Sequence, residues 1–323
     1  MKYASMATAV MLGMAGAQVA AQSTQSFPNR PVRMIVAFPA GSETDFFARL
    51  VAQKMSEALR QPMVVDNRPG AGGTLASAIV ARAATDGHTL LLHSMAHAVT
   101  PAIYRELPYD TLRDFTGISQ VAGVPNVLVV PPSMGVKSVR ELIALAKQKP
   151  GQVTYGSAGV GSGMHLNGEQ FRLAADIQVS HIPYKGGPDA LTDAIAGRIN
   201  YVFSPIGIGL PLIKDRRLVA LAISTAARSP VLPDVPTVAE AALPGFEFDT
   251  WYGLFAPART PRAVITRLSG DMTSVLEQPN TRERITNRGA VPKPSTPEQF
   301  NKFVRDEVVK LGAVVKAAGI KVE

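Results

Sequence analysis

Four short segments of this 323-residue chain concentrate glycine and small hydroxyl residues where apolar runs end. They are Pro39-Ala40-Gly41-Ser42-Glu43-Thr44-Asp45, His93-Ser94-Met95-Ala96-His97, Tyr155-Gly156-Ser157-Ala158-Gly159-Val160-Gly161-Ser162-Gly163-Met164-His165 and Pro183-Tyr184-Lys185-Gly186-Gly187-Pro188. Glycine lets backbone N–H groups approach a ligand, and a following helix adds the positive end of its dipole. Each such end is worth about 0.3–1 kcal/mol to an anion, and up to about 2 kcal/mol when partly buried. Two or three converging on one carboxylate hold it without any arginine. Helix capping selects the same residue types, so any single segment reads equally well as a tight turn. Their recurrence along one edge is what favours binding.

Other chemistries fail on spacing. Residues 156–163 read G-S-A-G-V-G-S-G, which is not the G-x-G-x-x-G of a dinucleotide site, and no G-x-x-x-x-G-K-[ST] phosphate loop occurs. Neither Ser157 nor Ser162 sits in a G-x-S-x-G elbow. Cysteine is absent, which removes thiolate metal sites, cysteine nucleophiles and disulfides. His93 and His97 have metal-ligand spacing but no acidic or histidine partner nearby, so they read as hydrogen-bonded loop histidines and no metal is expected. His165 opens a helix, whose dipole favours the neutral ring; it serves a ligand or packs as a satisfied core histidine. Trp251 and Tyr252 wall the cleft or pack beneath it, the second being favoured.

The elements that carry these segments alternate. Strands are expected at 32–38, 62–65 and 89–92, with a helix capped by Ser42 that runs past Leu50, Val51, Met55 and Leu59, and an Ala-rich helix at 76–84. A second series begins with a strand at 126–130. It continues with helix 139–147, strand 153–155, helix 166–174, strand 179–182, helix 190–196, strand 200–203, a short helix near 210–214 and strand 218–223. Helices at 263–276 and 297–317 close the chain and are expected to return to the first unit. Such alternation predicts parallel sheets covered on both faces, in two α/β lobes joined by turn-rich crossings near 121–126 and 224–236. Ligands of such sheets bind beyond the carboxyl ends of the strands, here in a cleft between lobes.

Composition agrees: 46% hydrophobic and 18% charged residues describe a globular chain long enough for two domains. The net charge of +8 comes from dispersed Lys and Arg, without the basic stripe and interleaved aromatics of a nucleic-acid interface, so no nucleic-acid partner is expected. Residues 1–21 combine Lys2, an apolar run from Met6 to Ala15 and the small-residue exit Val19-Ala20-Ala21. That is the pattern of a secretory signal peptide, with a single N-terminal anchor as the other reading.

The chain resembles the solute-binding receptors of the tripartite tricarboxylate transporter family, also called Bug receptors. The resemblance rests on Phe38-Pro39-Ala40-Gly41 through Asp45, Asp66-Asn67-Arg68-Pro69-Gly70-Ala71-Gly72-Gly73, Leu107-Pro108-Tyr109-Asp110 and Val124 through Val130. It also rests on Tyr155–Gly161 with His165-Leu166, Pro183 through Gly187, Ser229-Pro230 through Pro236 to Glu240, and Trp251 through Pro257. It implies a two-lobed periplasmic-binding-protein fold of type II, each lobe a doubly wound, mainly parallel sheet, with lobe 1 at 27–124 plus 231–323 and lobe 2 at 125–230. It further implies a periplasmic, monomeric receptor without enzymatic activity or cofactor. Such a receptor closes on a small organic carboxylate and hands it to an ion-driven permease of one small and one large subunit. The same fold would also serve a receptor signalling to a membrane sensor; a secreted α/β hydrolase is the reading from another class.

Ligand contacts are expected from Phe38, Ala40, Ser42, Asp45, Ser94, His97, Ser157, Ala158, Ser162, His165, Tyr184 and Ser204. Asp45 either caps the helix or faces backbone N–H groups, since a bare carboxylate would repel an anion. The family usually carries two glycines and a proline in the first loop, whereas Gly41 is followed here by Ser42 and Glu43; Thr100 stands where Asn is frequent. Many members have Asp after a strand of the second lobe, where this chain has Ser204-Pro205 after Phe203. Without that acid to meet an amino group, the expected ligand is a mono- or dicarboxylate, aromatic ones included, without an ammonium group.

Overall fold

The computed structural model describes residues 27–320. The signal-peptide segment 1–21 lies outside them. The chain begins with β1 (Val32–Val36), α1 (Glu43–Leu59), β2 (Met63–Asn67), α2 (Thr74–Ala81), β3 (Thr89–Ser94) and α3 (Ala96–Ile103). A 16-residue strand, β4 (Phe115–Val130), then leads into α4 (Val139–Gln148), β5 (Thr154–Ser157), α5 (Gly163–Ala175), β6 (Ser180–Pro183), α6 (Gly187–Ile195), β7 (Tyr201–Pro205), α7 (Ile206–Lys214) and β8 (Val219–Ile223). Last come α8 (Val238–Ala241), β9 (Asp249–Pro257), α9 (Arg262–Glu277), α10 (Pro279–Thr286), β10 (Val291–Pro292) and α11 (Pro297–Ala318).

Each lobe mixes parallel pairs with antiparallel ones, the latter made by β9 with β3 and β4 and by β4 with β7, β8 and β10. β2, β1 and β3 run parallel on one side, and β6, β5 and β7 on the other. Alternate residues face opposite covered sides: Val32, Met34 and Val36 of β1 enter one apolar cluster and Ile35 another. α11 opens with a capping box between Thr296 and Gln299, buries Phe300, Val304, Leu311 and Val315 along one stripe, and packs on α3 and β4.

Residues 121–126 differ from expectation. They form the middle of β4 rather than a turn-rich crossing. The first part of β4 pairs antiparallel with β9, down to Pro125 opposite Asp249; Val127–Val129 pair with β7 and Val127–Val130 with β8. One strand therefore belongs to both sheets. The proline-rich residues 229–236 turn: Leu232 N–H donates to the Ser229 carbonyl at 3.0 Å and Val235 N–H to the Leu232 carbonyl at 3.1 Å. The backbone stays beside β8, with Phe248 N–H donating to the Ser224 carbonyl at 2.8 Å, and enters the other sheet only at β9.

Candidate functional site

A cavity of about 400 Å³, its open mouth included, lies between the two sheets. One wall is Phe38, Ser42, Glu43, Thr44, Ser94, Thr250 and Tyr252; the opposite wall is Ala158, Ser162, Gly163, Met164, Gly187, Pro205 and Ile208. Helix starts surround the cavity. Glu43 and Thr44 are the first residues of α1, Gly163 and Met164 of α5, Gly187 of α6, and Ile208 lies in the first turn of α7. First-turn amides have no carbonyl acceptor within their own helix, so these backbone N–H groups and dipoles suit an anion. Among the described residues, Glu43 is the sole charged one in either wall, and none with a basic side chain lines the cavity.

The loop before α1 is held from behind. Gly41, at φ +78°, donates its N–H to Asp45 Oδ2 at 3.0 Å, and Asn67 Nδ2 donates to Asp45 Oδ1 at 3.0 Å and to the Phe38 carbonyl at 2.9 Å. Arg49 adds an ion pair at 3.0 Å. Burial pushes the Asp45 carboxyl up, but the bonds from Arg49, Gly41 and Asn67 outweigh it and hold the group below the usual carboxylate range. Asp45 braces the loop and does not line the cavity.

The loop before α5 is braced by histidines. Gly161 N–H donates to His165 Nδ1 at 3.1 Å, and the His165 and His181 rings stack with centroids 4.0 Å apart. Ser157 Oγ lies 2.6 Å from His181 Nε2 and accepts from Gly159 N–H at 3.1 Å. Burial lowers His165 to about 4, and burial together with the His165 neighbour lowers His181 to about 3, so both rings are neutral at pH 7.

Of the twelve residues expected at the ligand, the structure brings Phe38, Ser42, Ser94, Ala158 and Ser162 together on the cavity. Ala40 is exposed on the loop outside it. His97 is fully buried in lobe 1 with Ser77 Oγ at 3.3 Å from its Nδ1. Ser157 and His165 stand behind the glycine loop. Tyr184 donates to Asp193 at 2.8 Å and lines an adjoining hollow with Gly72, Tyr104 and Lys185. Ser204 is buried and donates to the Pro205 carbonyl at 3.0 Å.

His97 sits inside α3 rather than in a loop; six residues of that helix, Ala96–Thr100 and Ile103, are buried. Among the described residues, no group of three or more His, Asp or Glu is placed to hold a metal. Sequence reasoning missed Glu43, Thr44, Thr250, Pro205 and Ile208. For β9 a signal existed: strand alternation puts Thr250 and Tyr252 on the cavity side, while Trp251 points away and donates its Nε1–H to Glu307 at 2.9 Å. Burial, then Glu43 and Asp249, push the Tyr252 hydroxyl well above its usual range, so it remains protonated.

A two-lobed binding protein, with its cavity between the lobes, is the class that this fold and this site define. Within that class, the chain belongs to the tripartite tricarboxylate transporter family receptors, whose family model matches residues 47–320. It is similar to Rpa4515 of Rhodopseudomonas palustris, solved with adipate, at 34% identity and TM-score 0.89 over 92% of this chain and 100% of that one. It is also similar to the periplasmic binding protein BugD, at 31% identity and TM-score 0.87 over 92% and 100% of the two chains. A third likeness is to MatC of Rhodopseudomonas palustris with bound malate, at 33% identity and TM-score 0.85 over 90% and 100%. The protein is thus a solute-binding receptor of a periplasmic family and not an enzyme. Among the described residues no helix is long and apolar enough to cross a membrane.

Proposed function

We propose that this receptor captures a small organic carboxylate in the periplasm by closing its lobes. The ligand, a mono- or dicarboxylate without an ammonium group and aromatic ones included, is then delivered to an ion-driven permease of one small and one large membrane subunit. The carrying observation is the cavity between the sheets, ringed by the starts of α1, α5, α6 and α7 and free of basic side chains. Apolar Phe38, Met164, Ile208 and Tyr252 supply the walls for the ligand's carbon skeleton. The adipate and malate bound by similar proteins support the carboxylate class.

In this reading lobe 1 comprises 27–124 and 231–323, and lobe 2 comprises 125–230. The hinge lies where β4 changes sheet and where the chain enters β9. The protein acts as a monomer after removal of residues 1–21. A thermal-shift screen against carboxylates tests the reading: a ligand at 100 times its Kd stabilises the fold by about 2.7 kcal/mol. No shift with any carboxylate rejects it.

A further inference from the structure

We propose that Glu43, paired with Arg288, makes this receptor select monocarboxylates against dicarboxylates, by supplying from the protein itself the anion that a second ligand carboxylate would provide. The inference rests on the carboxylate reading of the cavity and narrows it. Glu43 is the first residue of α1, its side chain is 1% exposed, and it lines the cavity. Arg288 grips it bidentately, with Nη2 to Oε2 at 2.7 Å and Nε to Oε1 at 3.3 Å, and the guanidinium lies 4.0 Å from the centre of the Phe46 ring.

The Glu43 carboxylate also packs against the opposite lobe. A Cβ on Gly207, the second residue of α7, would collide with both of its oxygens. The protein's own carboxylate therefore stands at the positive end of α7, the position in which a helix start favours an external anion. Both oxygens are already held by the Arg288 guanidinium, leaving the starts of α1, α5 and α6 to hold a carboxylate of the ligand. Burial outweighs the Arg288 contacts and pushes the Glu43 carboxyl above its usual range, a sign that its charge is already poorly solvated. A second negative charge brought into the cavity approaches the Glu43 carboxylate, whose Arg288 partner already has its donors engaged, and is repelled by it. A neutral apolar end meets only Met164, Ile208, Pro205 and Tyr252.

Calorimetric titration of the mature protein with hexanoate against adipate, and with benzoate against terephthalate, tests this. The wild type is expected to bind the monocarboxylate of a pair at least tenfold more tightly. Glu43→Gln, which keeps the shape and removes the charge, is expected to shrink that ratio at least tenfold. Equal or tighter binding of a dicarboxylate by the wild type overturns the proposal, as does an unchanged ratio in the variant. If Glu43→Gln does not fold, the wild-type ratio decides alone. Binding of none of the four acids, or of any carboxylate in the wider screen, removes the carboxylate reading itself; binding of both members of a pair without preference removes only the selectivity.

Discussion

Ser42 and Ser162 occupy matching positions on opposite sides of one cavity. Each caps a helix by accepting the amide N–H three residues on, Asp45 at 3.2 Å and His165 at 3.3 Å, and each lines the same space. The two caps fix the directions in which the remaining first-turn amides of α1 and α5 point. Capture of an anion then requires no basic side chain, because two helix starts face it from two lobes.

Replacing either cap tests this arrangement. Ser42→Ala and Ser162→Ala are each expected to cost about 0.5–2 kcal/mol of stability. Each is also expected to weaken carboxylate binding, since a freed amide no longer keeps its neighbours aimed. Chemical denaturation and ligand titration measure the two effects. Lost stability with unchanged affinity in both variants would show that the caps serve the fold alone.

Asp45 is expected to act on the ligand only through the loop it braces. Asp45→Asn removes the charge that holds Gly41 N–H and Arg49. Affinity should fall although Asp45 is outside the cavity. Asn67→Ala, which releases the Phe38 carbonyl from the same bracket, should reproduce the loss. Unaltered binding in both variants would contradict the role.

Closure of the cleft, as proposed, brings Gly186 against Pro39 of the other lobe. Gly186 has φ −165°, which any residue adopts, yet a Cβ there would lie 2.5 Å from the Pro39 ring. Gly186→Ala should therefore leave the unliganded protein's melting temperature unchanged while weakening binding and favouring an open form in solution scattering. Wild-type affinity in this variant would show that the contact is not needed for capture.

Acid should destabilise the fold well above the carboxylate range. Burial lowers His93 to about 4 and His97 well below its usual value; His165 and His181 are lowered to about 4 and about 3. These groups stay neutral in the folded chain, whereas the unfolded chain protonates them near 6.5. Below that value the unfolded state binds more protons, so stability falls with pH from about 6.5 toward about 4, by up to about 1.4 kcal/mol per unit for each ring. Glu43 and Asp249, whose carboxyls are raised chiefly by burial, act in the opposite sense, but they are two groups against four. Urea midpoints at pH 7, 5.5 and 4.5 should decrease in that order; a flat or rising series contradicts the assignment of neutral buried histidines.

Much of the architecture was legible because strands and helices carry different apolar periods. The boundaries of α9 and α11 and the cap at Ser42 follow from local rules that burial does not override. The continuity of β4 was not legible. Pro125 and Gly123 resemble a turn, and nothing local marks a strand whose two ends serve different sheets. α3 escaped notice because it is almost wholly buried and contains Pro101. At the site, the glycine and serine segments marked the right edge, but residue type alone does not say which hydroxyl or ring faces the cleft. Ser157, Ser204 and His97 turn inward to satisfy neighbours, whereas Glu43, which reads as an ordinary first-turn acid, reaches the cavity.

The most direct test of the whole account is calorimetric titration of the mature protein with a panel of small carboxylates, run beside Ala158→Trp, which fills the cavity from the lobe 2 side. A micromolar ligand corresponds to about −8 kcal/mol. The account predicts such binding for at least one carboxylate in the wild type and at least a tenfold loss in Ala158→Trp, with the unliganded melting temperature unchanged. Binding of no carboxylate, or equal binding with the cavity filled, would contradict it.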